Sequence, residues 1–107
     1  MNKIGKHVGI GIVTCNREQF LENLLQSLPS DHYTAVVNDG DILGWNDIEH
    51  SRIDNYTYNP ENLGVGKSKN ILFRILMNKG FEHIFIIEDD MIIKDQDVFN
   101  KYVEASE

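Results

Sequence analysis

The chain has 107 residues, enough for one core and one domain, and its 41% hydrophobic content with only 2 prolines excludes a disordered or fibrous protein. A formal charge of -7 argues against an extended nucleic-acid or anionic-membrane surface. The single cysteine, Cys15, has no internal disulfide partner, which points to a reducing, cytoplasmic compartment and an ordinary role as a small buried residue.

Lys3 and Lys6 precede an apolar run, but Val8 to Val13 is too short for a signal core or a membrane span, so no transmembrane segment is expected. That run (VGIGIV) predicts a first strand, with Gly9 and Gly11 keeping one face small for close packing. Asn16, with Gln19 three residues on, predicts a capping box opening a helix to about Leu28, stopped by Pro29. Phe20, Leu21, Leu24, Leu25 and Leu28 recur at helical spacing along it. Tyr33 to Asn38 predicts a second strand running into the turn signal Asp39-Gly40. Asp41 to Arg52 is polar and poorly patterned; it holds Gly44 and Trp45, the latter read as a loop anchor packing on the sheet. Ile53 to Tyr58 alternates and predicts a weak, half-exposed strand.

Asn59 to Gly64 is a loop feeding a second helix, Gly66 to Lys79, with Ile71, Leu72, Ile75 and Leu76 as its buried stripe and Gly80 as its C-terminal cap. His83 to Ile87 is short and rich in β formers, so it reads as a buried strand, followed by the acids Glu88, Asp89 and Asp90. After a brief Met91 to Ile93 extension, Asp95 is placed as the cap of a last helix carrying Val98, Phe99, Tyr102 and Val103. This order predicts an α/β fold: a single-domain, three-layer α/β/α arrangement with a mostly parallel, Rossmann-like sheet.

The acids closing the fourth strand carry the chemistry. Three adjacent carboxylates repel one another, and a hard divalent cation such as Mn2+ or Mg2+ takes oxygen ligands and shares them with a substrate phosphate. The ordinary alternative is one acid capping a turn and two in solvent. The segment Gly64-Val65-Gly66-Lys67-Ser68 looks like the end of a P-loop, which would suggest a nucleotide phosphatase. Against that, Glu61 stands where the first P-loop glycine belongs, and Asp54 and Asn55 interrupt the strand before it. A phosphoacceptor receiver domain has a similar length, but it carries its acid pair after the first strand, where this chain has Thr14-Cys15-Asn16. His7, His32, His50 and His83 lack metal-ligand spacing to one another.

Four clusters in order support another reading: Thr14-Cys15-Asn16-Arg17, Asn38-Asp39-Gly40, Asn62-Leu63-Gly64 followed by Lys67-Ser68-Lys69-Asn70, and Glu88-Asp89-Asp90. Together they resemble the T-x-N-R, (N/D)-D-G, N-x-G and D-x-D motifs of GT-A fold glycosyltransferases of the large inverting class, over nearly all of the chain. The first acid here is Glu, as in the E-D-D form of some related enzymes. The resemblance implies binding of a nucleotide-diphosphate sugar, UDP-linked, with Mn2+ or Mg2+ and a saccharide or glycoconjugate acceptor. It implies that Asp39 accepts hydrogen bonds from the base, with Thr14 and Asn16 beside it and Arg17 near base or phosphate. Asn62 and Gly64 would shape a loop allowing close approach, and Lys69 would offset diphosphate charge. Asp90 would bind the metal, Asp89 the ribose or sugar, and Glu88 would act through water or the ribose. The family's base and acceptor region follow the D-x-D motif, and no base is identifiable among Asp95, Asp97 and Glu104; a donor-binding module without turnover, or a fragment of a longer enzyme, is the alternative.

Overall fold

The computed structural model describes residues 8–29, 32–41, 52–94 and 97–106. Expectations for Lys3, Lys6, His7, Gly44, Trp45, His50 and the Asp95 cap lie outside the described residues. The elements run β1 (Val8–Thr14), α1 (Glu18–Ser27), β2 (Tyr33–Asn38), β3 (Asn55–Tyr58), α2 (Val65–Asn78), β4 (His83–Glu88) and α3 (Val98–Ser106). The four strands form one parallel sheet in the order β3-β2-β1-β4. The expected α/β class, element order and three layers are therefore found.

Strand periodicity sorts side chains between the two faces. Val8, Ile10 and Ile12 of β1 join Val36, Phe85 and Ile87 in a core with Leu21, Leu24 and Leu25 of α1 and Phe99 of α3. The alternate residues Val13, Ala35, Val37, Ile84 and Ile86 pack against Leu72 and Leu76 of α2. So α1 and α3 cover one face and α2 the other. Every residue of β1 is buried.

Gly9 and Gly11 are why α2 can lie so close to β1. A Cβ at Gly9 would stand 3.0 Å from the Leu76 side chain and from the Phe81 ring, and one at Gly11 would stand 2.9 Å from Ile86 and 3.2 Å from Leu72 Cβ. The helix then ends as its sequence predicts: Gly80 takes φ +87°, its N–H bonds the Met77 carbonyl at 3.0 Å and the Phe81 N–H bonds the Leu76 carbonyl at 3.4 Å. That pair of bonds is a Schellman cap.

Two expectations fail. The strand before the acids is not fully buried: side chains on both of its faces pack on the cores, but β4 is outermost among the described strands, and His83 to Ile87 are half-buried. The capping box at Asn16 does not form; Arg17 occupies the N-cap position without a side-chain bond, and Gln19 donates to Asn23 instead. Asn16 is diverted because it takes φ +58° and its side chain binds elsewhere, to the Asp41 N–H at 2.7 Å.

Overpacking gives the first test. Gly9→Ala should lower unfolding free energy in urea by about 1–3 kcal/mol, since the Phe81 ring and Leu76 are both held by the Schellman cap. An unchanged midpoint would mean that the sheet and α2 are not in this close contact.

Candidate functional site

Because the four described strands are parallel, their carboxyl ends share one rim. Thr14 pairs with Asn38, and Val13 with Glu88, so three of the sequence clusters arrive side by side. The chain order reverses between β1 and β4: β2 and β3 lie on one side of β1 and β4 on the other. Ligands of open α/β sheets bind outside the carboxyl ends at such a switch point. A cavity of about 100 Å³ opens there, lined by Val13, Cys15, Arg17, Val65, Glu88 and Asp89.

Side-chain parity continues past the strand ends and divides the rim. Asp39 follows Val37 onto the α2 face. Its carboxylate is 3% exposed and accepts the Asn59 amide at 2.8 Å, the Leu63 N–H at 2.8 Å and the Gly64 N–H at 2.9 Å. Burial pushes the Asp39 pKa up, but the Leu63 N–H, the Asn59 amide and the Gly64 N–H outweigh it and hold the group below its ordinary 3.8. The Asp39 backbone adds to this latch: its N–H bonds the Thr14 carbonyl at 2.8 Å, and its carbonyl accepts from Asn62 Nδ2 at 3.0 Å. Gly64, at φ +93° and ψ 160°, is the N-cap of α2 in a conformation open essentially to glycine alone. Both Asp39 oxygens are thus engaged, and the carboxylate fixes the loop ahead of α2.

The same bonds bear on the P-loop alternative. The segment leading into α2 presents its N–H groups to Asp39, an internal anion, and Ser68 is fully buried with its hydroxyl 3.3 Å from Asn59. The hydroxyl that would meet a magnesium ion in a P-loop points into the latch.

On the α1 face, Thr14 Oγ1 donates to Asp89 Oδ2 at 2.9 Å, both groups buried. The Arg17 guanidinium meets Asp89 Oδ1 at 3.2 Å and lies 5.5 Å from the centre of the Phe20 ring. Glu88, one residue earlier, points to the α2 face and pairs loosely with Lys69 at 3.8 Å, both ends well exposed. Asp90 is exposed in the following turn. The three acids therefore do not surround a common point, and no group of three or more His, Cys, Asp or Glu that could hold a metal ion exists among the described residues. Their mutual repulsion is relieved by separation and by Arg17, Lys69 and Thr14.

The sequence missed the buried polar residues that hold this rim. Asn59, 5% exposed, ties Asp39 to Ser68. Asn38 accepts the Gly40 N–H at 3.0 Å and donates to Tyr56 Oη at 2.9 Å, and burial pushes the Tyr56 phenol up. Amides closing β2 and following β3 were the available signal. Gly40 is needed for contact: a Cβ there would stand 2.7 Å from the Asn16 backbone nitrogen. Of the remaining acids, Asp97 accepts from Asn100 at 2.9 Å and bonds Lys101 through its carbonyl, a turn-forming role at the start of α3.

With this geometry in hand, comparison with known proteins finds no matching family model, no matching curated protein and no matching solved structure. No helix among the described residues is long and apolar enough to cross a membrane.

Asp39→Asn should destabilise the fold by about 1–3 kcal/mol at neutral pH, because an amide cannot accept from both N–H groups and Asn59 alike. Since the folded pKa lies below 3.8, the carboxylate's contribution is complete above that value and is lost as pH falls through the folded pKa. Urea unfolding of both proteins should therefore show a gap that narrows in strong acid. A gap that widens on acidification would contradict the latch.

Proposed function

We propose that the chain is the donor-binding part of a glycosyltransferase, holding a nucleotide-diphosphate sugar, UDP-linked, at the switch point between β1 and β4. The observation that supports this best is the crevice itself, walled by Arg17 on one side and the first residue of α2 on the other. A diphosphate lying there would meet the guanidinium fork of Arg17. Arg17 is half-exposed and already engaged by Asp89, so its remaining N–H groups would serve the phosphate. Lys69, paired loosely with Glu88 at the crevice wall, would add charge. Thr14 and Asp89 would position Arg17 and the floor, Asn16 and Asn62 would flank the nucleoside, and Gly64 would let the ligand approach the backbone. Asp39 acts through the loop it fixes and is a positioning residue.

Transfer breaks the bond from the anomeric carbon to the diphosphate and develops negative charge on the leaving oxygen. Mn2+ or Mg2+, held on the protein side by Asp90, would supply Lewis-acid stabilisation of that charge. The crevice carboxylates, Glu88 and Asp89, are both ion-paired, which leaves neither placed as a base toward an acceptor hydroxyl. That pairing favours, as the second reading, a module that binds the donor without turning it over. Product formation from a UDP-sugar separates the two.

Thermal unfolding with UDP, with and without Mn2+, tests the binding itself. UDP at about 100 times its dissociation constant should add about 2.7 kcal/mol of stability, with most of the gain requiring Mn2+. Asp90→Asn should remove the Mn2+ requirement along with that gain, and Arg17→Ala should weaken UDP in either condition. An equal response to ATP with Mg2+ that Lys67→Ala abolishes would replace this reading with the P-loop alternative.

A further inference from the structure

Among the described strands the sheet ends at β4, which pairs on its inner side with β1. Soluble proteins guard such an edge with lysine, proline or a bulge, because its outward N–H and C=O groups can accept another strand. From Ile84 to Ile87 this edge carries neither a charge nor a proline. The helices beside it add apolar surface. Lys69, Phe73 and Met77 form one row at four-residue spacing on α2, and the Lys69 contact with Glu88 puts that row on the β4 side. Phe73 is 50% exposed and Met77 54%. On the other face Tyr102 of α3 leans on Phe85, with 5.9 Å between ring centres, and stays 62% exposed. The edge is thus the floor of an apolar groove with a helix on either side.

We propose that β4 pairs antiparallel with β4 of a second copy of this chain, joining two sheets across a two-fold axis. The charge distribution along the strand selects this occupant. β4 runs from His83 into Glu88, Asp89 and Asp90. A parallel copy would set two acidic ends side by side. An antiparallel copy sends them to opposite ends of the contact, each beside the other copy's His83. Side-chain parity agrees. Residues directly opposite on antiparallel strands share a face of the sheet, and Ile84 and Ile86 both lie on the α2 face. Pairing centred on Phe85 therefore sets Ile84 against Ile86 and Phe85 against its own counterpart, so the central pairs are apolar. The same axis brings the Phe73 row toward its counterpart on one face and the Tyr102 rings toward each other on the other. A contact of this kind satisfies both edges at once, so assembly stops at two copies. None of these side chains lines the crevice at the switch point. Nor do they line the second hollow, about 140 Å³, bounded by Phe20, Asn23 and Asp89 to Ile92. The two carboxyl-end rims point in opposite directions and both stay open.

Sedimentation equilibrium of the full chain, from low micromolar to near-millimolar concentration, should fit a reversible monomer–dimer equilibrium and nothing larger. Amide hydrogen exchange should show β4 gaining protection as the dimer forms, while β1 in the sheet interior changes little. Phe73→Lys and Tyr102→Lys alter exposed side chains outside both core clusters, so at low concentration each should keep the thermal midpoint of the unaltered chain. Each should weaken the dimer by about tenfold, the equivalent of about 1.4 kcal/mol. If a variant's midpoint falls, the concentration dependence of β4 exchange in the unaltered chain still decides. A monomer at every concentration overturns the proposal, as does β4 protection that ignores concentration, which would mean that another part of the chain covers the edge. Oligomers larger than two, or a dimer that both variants leave intact, overturn it as well. The outcome is independent of UDP binding.

Discussion

The carboxylate of Asp39 is the contact on which the arrangement of the rim depends. It lies one residue beyond β2, on the face that α2 covers, and it receives the backbone N–H groups of Leu63 and Gly64 together with the Asn59 amide. Those groups belong to the loop that turns the chain from β3 into α2. Without that acceptor these part-buried N–H groups would be left unpaired, each costing about 1–3 kcal/mol. With one, the end of β2 and the start of α2 become a single unit, and the Asp39 N–H on the Thr14 carbonyl joins β1 to it.

Thr14 is the hinge between the two halves of the rim. Its carbonyl faces the Asp39 latch, and its hydroxyl holds Asp89 on the opposite face of the sheet. The alternation that buries Ile84 and Ile86 under α2, and Phe85 and Ile87 under α1 and α3, also sends Glu88 one way and Asp89 the other. A triplet of acids that reads as one cluster in sequence is thus three separate groups in space: one paired with Lys69, one buried against Thr14 and Arg17, one exposed. Two hollows result, one on either side of Asp89.

Much of the fold was legible because its signals are periodic. The alternation in VGIGIV, the leucines of α1, the stripe of α2 and the glycine ending it each have one physical reading, and the strand and helix ranges follow within a residue or two. The rim clusters were legible as strand-end residues, and they do meet. What the sequence did not disclose was which way each polar group turns. Asn16 resembles a helix cap, yet it is drawn to the Asp41 N–H because Gly40 lets the two loops touch. Asp39 resembles a ligand-facing residue, yet the loop of Asn59 to Gly64 claims it first. The exposure of β4 was hidden for a different reason: apolar composition reports that a strand is covered by helices, not whether another strand pairs with its edge.

The most direct measurement is the carboxyl carbon titration of Asp39 by NMR, followed together with the amide protons of Leu63 and Gly64. The latch predicts a midpoint below 3.8, with both amide protons moving at that same midpoint as their acceptor loses its charge. A midpoint at or above 3.8, or amide protons indifferent to it, would show that the rim is held together by something else.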